Sequence, residues 1–161
     1  MSKKELKTNA MRILDRAKIA YEYQTYECDE FIDGIHTADI LGCDHRFVYK
    51  TLVTVGKNGS YYVFVIPIEE EIDFKKAAKA VGEKSLEMLP LKNLTAVTGY
   101  VRGGCTAIGM KKNYPTVIHN SAESQDKIYV SGGKIGMQLL LSPLDLQKVS
   151  GAIFADVIRE K

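Results

Sequence analysis

The chain has no CxxC pair and only three cysteines, Cys28, Cys43 and Cys105. An odd count without paired spacing argues against a disulfide framework and against a structural zinc site. The three histidines, His36, His45 and His119, form no HExxH pair, so no metal ligand set is legible and no cofactor is expected. No run approaches the roughly 18 apolar residues that a membrane span needs. The N-terminal stretch "MSKKELKTNAMRIL" carries charge but no apolar segment, so no export signal is read and the cytoplasm is the expected location. Excess charge is missing as well. A formal net charge of +2 excludes a binder held to nucleic acid by bulk charge and leaves room for a local basic cleft. Repeats, linkers and low-complexity tracts are absent. What remains is 161 residues, 45% hydrophobic and 26% charged, which fits one folded domain over 1–161 with a sizeable core.

Hydrophobic spacing places the elements. Ser2 and Glu5 have capping-box spacing, and Leu6, Ala10, Ile13, Leu14 and Ala17 follow at helical intervals, so a helix is expected over 3–17. "IAYEYQTY" (19–26) alternates as a strand, and "HTADILG" (36–42) reads as a short helix stopped by Gly42. Two β-rich runs, 46–55 and 60–68, flank "GKNG" and predict a hairpin. Asp73 and Gly82 bracket a helix, as do Ser142, with Pro143 behind it, and Gly151. The apolar residues around Pro90 predict short helical turns over 86–97. Strands are expected near 115–119, 128–131, 137–141 and 152–158. Regular βαβ alternation is missing, which weakens a Rossmann-type reading. The expected class is α+β, with a mixed, barrel-like sheet flanked by helices.

Three segments hold chemistry. In "FVYKTLV", Lys50 shares a strand face with Val48 and Leu52. It is either a lysine whose stem lies on apolar surface while its ammonium reaches water, or a fixed cation for a phosphate or carbonyl oxygen. "GYVRGGCTAIGMKK" matches neither the Walker loop, GxxxxGK followed by Ser or Thr, nor GxGxxG. Gly103 and Gly104 leave main-chain N–H groups open to an oxyanion, or they form a bulged turn. Cys105 is a nucleophile only if a base approaches it in space; otherwise it is a structural cysteine. In "IYVSGGKIGMQLLLSP", Ser131 precedes Gly132 and Gly133, with Lys134 following. That is again a hydroxyl, free backbone and a cation, or a β-turn with its capping serine.

Together with "TVIHNSA", these segments resemble, in order, the motifs of the YbaK/EbsC family, the free-standing relatives of the editing domain inserted in bacterial prolyl-tRNA synthetases. The resemblance runs from the first helix to the last strand. It implies a barrel-like mixed sheet with surrounding helices and a trans-editing activity: hydrolysis of the ester joining a wrong amino acid to a tRNA 3′ end, with Cys-tRNA(Pro) as the usual substrate. By the same resemblance, Lys50 matches the lysine of the K-T-L-V motif. Gly103 and Gly104 match the glycines of G-G-x-S-P, and Ser131 matches the serine of V-S-G-G. Tyr26 corresponds to a tyrosine late in the first strand. Cys105, Thr106, Ala107, Gly132 and Lys134 are expected around the substrate. One departure stands out: Thr106-Ala107 replaces the family's Ser-Pro, which removes the fixed φ of proline from that loop.

An aminoacyl ester is already activated, so placement and charge stabilisation suffice. Lys50 is expected to anchor the terminal adenosine's phosphate or the ester. The backbone of Gly103–Thr106 would hold the carbonyl, and Ser131 would position the substrate. The family's account of cysteine specificity has the substrate's own thiol attack, with a ribose hydroxyl or a water as alternatives. Either way Cys105 is dispensable. Rival readings are an Ala-tRNA(Pro) deacylase, a non-catalytic binder of the tRNA acceptor end or of the synthetase, and a thiol-transfer protein built on Cys105. Arg102, Lys111, Lys112 and Lys134 could touch phosphates or simply be solvated. With so little net charge, tRNA capture alone would be weak, and docking with prolyl-tRNA synthetase, which the resemblance implies, would help.

Overall fold

The computed structural model describes residues 7–26 and 34–160, side chains of 34–36 excepted. Helix α1 (Asn9–Arg16) starts at a capping box of its own: the Thr8 hydroxyl accepts the Met11 N–H, and the Met11 sulfur accepts the Thr8 N–H. The helix expected over 3–17 therefore begins six residues later, because Thr8, extended at φ −88° and ψ 169°, takes the capping role. Ser2 and Glu5 lie outside the described residues.

Strand β1 (Glu22–Thr25) and helix α2 (Gly34–Leu41) follow, and Gly42 at φ +71° ends that helix. The hairpin forms as expected from β2 (Tyr49–Gly56) and β3 (Tyr61–Pro67). Helix α3 (Phe74–Val81) is capped by the Asp73 carboxylate and closed by left-handed Gly82. Residues 86–88, expected to be helical, form strand β4 (Leu86–Met88) instead and pair with the open edge of β2, Gly56 opposite Leu86 and Thr54 opposite Met88. The proline at 90 disfavours a helical Leu89 and keeps the segment extended. The helical turns come after it, as a 3₁₀ turn at Leu91–Asn93 running into α4 (Leu94–Thr98). Then come β5 (Thr116–His119), β6 (Ile128–Ser131), β7 (Met137–Leu141), α5 (Pro143–Ser150) and β8 (Ile153–Ala155). The last strand is shorter than 152–158, although Ile158 makes a separate bridge to Ile72.

The strands form two sheets: antiparallel β1-β7-β6, and mixed β4-β2-β3-β5-β8 with its last two pairings parallel. A bridge between Val48 and Tyr129 joins them. The expected α+β class with a mixed sheet flanked by helices is present, and the sheets do not close into a true barrel.

Helix α1 packs Met11 and Leu14 onto Leu139 and Leu141 of β7 and Ile118 of β5. Helix α3 covers Phe64 and Ile66 with Ala77 and Ala78. Each large side chain buried in this way stabilises by about 1.5–3 kcal/mol. A third cluster sets Val53 and Val63 against Val97, Tyr100 and Cys105. It clamps the glycine loop that follows α4 onto the β2–β3 hairpin, and so fixes one wall of the principal cleft.

Candidate active site

A cleft of about 650 Å³ opens along β2. It brings together five of the residues singled out in the sequence: Lys50, Arg102, Gly103, Cys105 and Ser131. Lys50 projects from mid-β2, opposite Ile66 in register, and is half-buried. Burial holds its ammonium below the ordinary lysine value, and the charges of Glu71 and Glu70 partly oppose that. Among the described residues no carboxylate forms an ion pair with it.

The glycine loop has a different use for each glycine. Gly103 sits at φ +85° and lines the cleft, a conformation that L side chains strain to adopt. Gly104 does not present its N–H to the cleft; that group donates to the Val101 carbonyl at 2.9 Å. A Cβ on Gly104 would lie 2.8 Å from the Lys134 Cα and 2.9 Å from its carbonyl carbon. The glycine is thus required where the 99–112 loop packs backbone to backbone on the turn after β6. Tyr100 pins the same loop by donating its hydroxyl to the Ile108 carbonyl at 2.6 Å.

Cys105 is 9% exposed, and burial pushes its thiol up to about 11. At neutral pH it is a protonated core thiol on the cleft wall, with no histidine or carboxylate beside it on that wall. Thr106 is fully buried and its Oγ1 has no hydrogen-bond partner. Ala107 is half-buried between two core clusters. Neither lines the cleft.

Ser131 ends β6 and reaches the cleft, while its Oγ accepts the Gly133 N–H at 3.2 Å. The serine thus closes the turn and also lines the cleft. Gly132 is buried, with its carbonyl accepting the Thr8 hydroxyl at 2.6 Å. Lys134 is exposed and off the wall. Tyr26 is half-buried and ties β1 to the same turn through its N–H, which donates to the Gly136 carbonyl at 2.9 Å; it does not line the cleft either. Arg102 is exposed at the cleft, whereas Lys111 and Lys112 are exposed away from it.

Four polar residues on the wall escaped the sequence reading: Thr37, Tyr49, Thr51 and Gln138. Gln138 of β7 pairs with Ser131 in register, lines the cleft and is 7% exposed, and its Oε1 has no hydrogen-bond partner. An unpaired buried polar group costs about 1–3 kcal/mol. The signal was a lone amide in the apolar run "GMQLLL", which reads as core when periodicity is the only guide.

Among the described residues, the cleft wall carries no aspartate, glutamate or histidine, and no three metal-ligating side chains cluster. A buried cation, a glycine backbone and a hydroxyl can hold an activated carbonyl compound. The usual bases for activating a protein nucleophile, a histidine or a carboxylate, are missing from that wall among the described residues.

Fold and cleft define a class, and comparison with known proteins bears it out. Residues 35–149 match the aminoacyl-tRNA editing domain, and the chain belongs to that family. It is 44% identical over 156 residues, 96% of this chain and 95% of the relative, to EbsC of Enterococcus faecalis V583, provisionally named a Cys-tRNA(Pro)/Cys-tRNA(Cys) deacylase. Its fold is similar to the crystal structure of a provisionally assigned trans-editing enzyme for prolyl tRNA synthetase, with a TM-score of 0.80 at 20% identity over 95% of this chain and 99% of that one. A second solved structure, the hypothetical protein APE2540, gives 0.83 at 22% identity over 92% and 97% of the two chains.

Proposed function

We propose that this chain is a trans-editing deacylase that hydrolyses the ester of Cys-tRNA(Pro). The observation that carries the reading is Lys50: a half-buried cation, without an ion-pair partner among the described residues, in one cleft with Gly103 and Ser131. Lys50 anchors the phosphate of the terminal adenosine or the ester oxygen. The backbone at Gly103 takes the carbonyl, and Ser131 orients the substrate. The attacking group comes from the substrate, its thiol or a ribose hydroxyl, or from a water, because among the described residues the wall offers no histidine or carboxylate to activate a protein nucleophile.

The Thr106-Ala107 departure does not redirect the reading toward alanine, since neither side chain lines the cleft and both pack into the core behind it. The partner is the acceptor end of a mischarged tRNA, met in the cytoplasm. With a net charge of +2, docking on prolyl-tRNA synthetase supplies the residence time that bulk charge does not.

The test is deacylation of Cys-tRNA(Pro) by wild type, Lys50→Ala and Cys105→Ala. Lys50→Ala is expected to lose at least about a hundredfold in rate, and Cys105→Ala at most a few-fold. An inactive Cys105→Ala beside an active Lys50→Ala would overturn the assignment.

A further inference from the structure

We infer that Gln138 reads the free α-amino group of the esterified amino acid, so that the cleft accepts aminoacyl esters and rejects their N-acylated forms. This rests on the aminoacyl-ester reading above. An aminoacyl ester differs from a peptidyl or formylated one in a single feature, a donor-only ammonium next to the scissile carbonyl. A cleft that recognises it needs an acceptor, and the ordinary choice is a carboxylate. No carboxylate lines this one, among the described residues.

The acceptors that remain on side chains are the hydroxyls of Thr37, Tyr49, Thr51 and Ser131 and the amide of Gln138, and among these described residues Gln138 alone holds a buried oxygen without a partner. Ser131 already has its oxygen engaged with the Gly133 N–H. Tyr49 shares its hydroxyl with Ser121 at 2.7 Å. The Gln138 Oε1 has no donor, although its residue is 93% buried by the same measure that leaves it 7% exposed on the cleft wall. The last torsion of a glutamine is broad, so its oxygen turns toward a ligand at little cost.

Position agrees with the role. Gln138 is the register partner of Ser131 and lines the same cleft as Lys50 and Gly103. A neutral acceptor also suits a cleft that holds Lys50. A carboxylate there would pair with the lysine and quench the cation needed at the ester. An amide accepts from the amino group and does not compete for the charge of Lys50. Acylation of the amino group removes its charge and two of its donors and adds bulk, against a wall that is already buried.

The experiment compares Cys-tRNA(Pro) with N-acetyl-Cys-tRNA(Pro) as substrates for wild type, Gln138→Met and Gln138→Glu. Wild type is expected to prefer the free amino ester by about tenfold or more, the scale of one hydrogen bond to a charged group. Gln138→Met, similar in shape and without the acceptor, should lose most of that preference through a raised KM for the free ester alone. Gln138→Glu keeps an acceptor and should keep the preference, with a lower kcat as Lys50 is drawn into a pair. An unchanged preference in Gln138→Met, or its loss in Gln138→Glu, overturns the inference. Should Gln138→Met not fold, Gln138→Leu, which also lacks the acceptor, takes its place under the same criterion. Wild type that cleaves neither ester removes the deacylase reading and this one with it. Wild type that cleaves both equally removes only this one.

Discussion

Lys50 gains its use from its neighbours. Mid-strand, half-buried and without an ion-pair partner among the described residues, it is a cation whose desolvation has already been met by folding. Its ammonium sits below the ordinary lysine value, so deacylation that depends on the charge should fall away at a pH below that value as pH rises. Lys50→Ala should be flat over the same range, and the difference between the two pH profiles is the measurement. Cys105 points the other way. A thiol pushed up to about 11 stays protonated at neutral pH, so alkylation by iodoacetamide should be slow at pH 7.5 and should rise steeply only above pH 10. Mass spectrometry of the alkylated peptide checks this. Thr106 gives a stability prediction. Its fully buried Oγ1 lacks a partner, so Thr106→Val should hold or raise the melting temperature, by up to about 1 kcal/mol in stability. At this scale the sequence displayed the chemically marked residues, Lys50 and Ser131, because charge and hydroxyl stand out in an apolar pattern. It hid Gln138, since nothing in a linear pattern tells a buried amide that faces a cleft from one that faces solvent.

Elements bring these residues to one wall, and two joints matter most. The first is the backbone contact between the 99–112 loop and the turn after β6. Gly104→Ala would press a methyl to 2.8 Å from the Lys134 Cα, where the neighbour is main chain and cannot swing away. The expected outcome is a loss of about 1–3 kcal/mol in denaturant unfolding, with reduced deacylation as Gly103 and Ser131 separate. The second joint is His119, at the end of β5, whose Nδ1 accepts the Val157 N–H just past β8. Burial holds this histidine below its ordinary 6.5, against the opposing charge of Asp156. A folded-state value below the unfolded one gives stability that is complete above about 6.5 and is lost as pH falls from there toward the folded value. Melting curves at pH 7.5 and 5.5 should therefore show a larger drop for wild type than for His119→Gln. Capped helices and the hairpin were legible because caps and turns are local signals: Asp73, Gly82, Ser142 and Gly59 act on their own neighbours. The strand over 86–88 was not. Its conformation depends on the open edge of β2, some thirty residues earlier. Likewise the start of α1 is set by the capping box at Thr8, which helical spacing alone does not single out.

For the whole molecule, the two sheets meet through the Val48–Tyr129 bridge and leave the cleft between them open at the top of β2. The sheet is mixed and flanked by helices as expected, and it stops short of a closed barrel, because closure depends on strand tilt and stagger, which the residue pattern does not encode. The near-neutral surface has a consequence that can be measured. Binding of tRNA should weaken only modestly between 50 and 200 mM salt, with a slope of a few phosphates at most, far shallower than that of a charge-driven binder. The central claim is that this cleft hydrolyses a cysteinyl ester on tRNA(Pro). The measurement that tests it most directly is a deacylation panel of Cys-, Ala- and Pro-tRNA(Pro) with wild-type protein. The account predicts turnover of Cys-tRNA(Pro), with the alanyl and prolyl esters spared at least about tenfold. Normal tRNA binding with no turnover of any of the three, or alanyl ester cleaved in preference to cysteinyl, would contradict it.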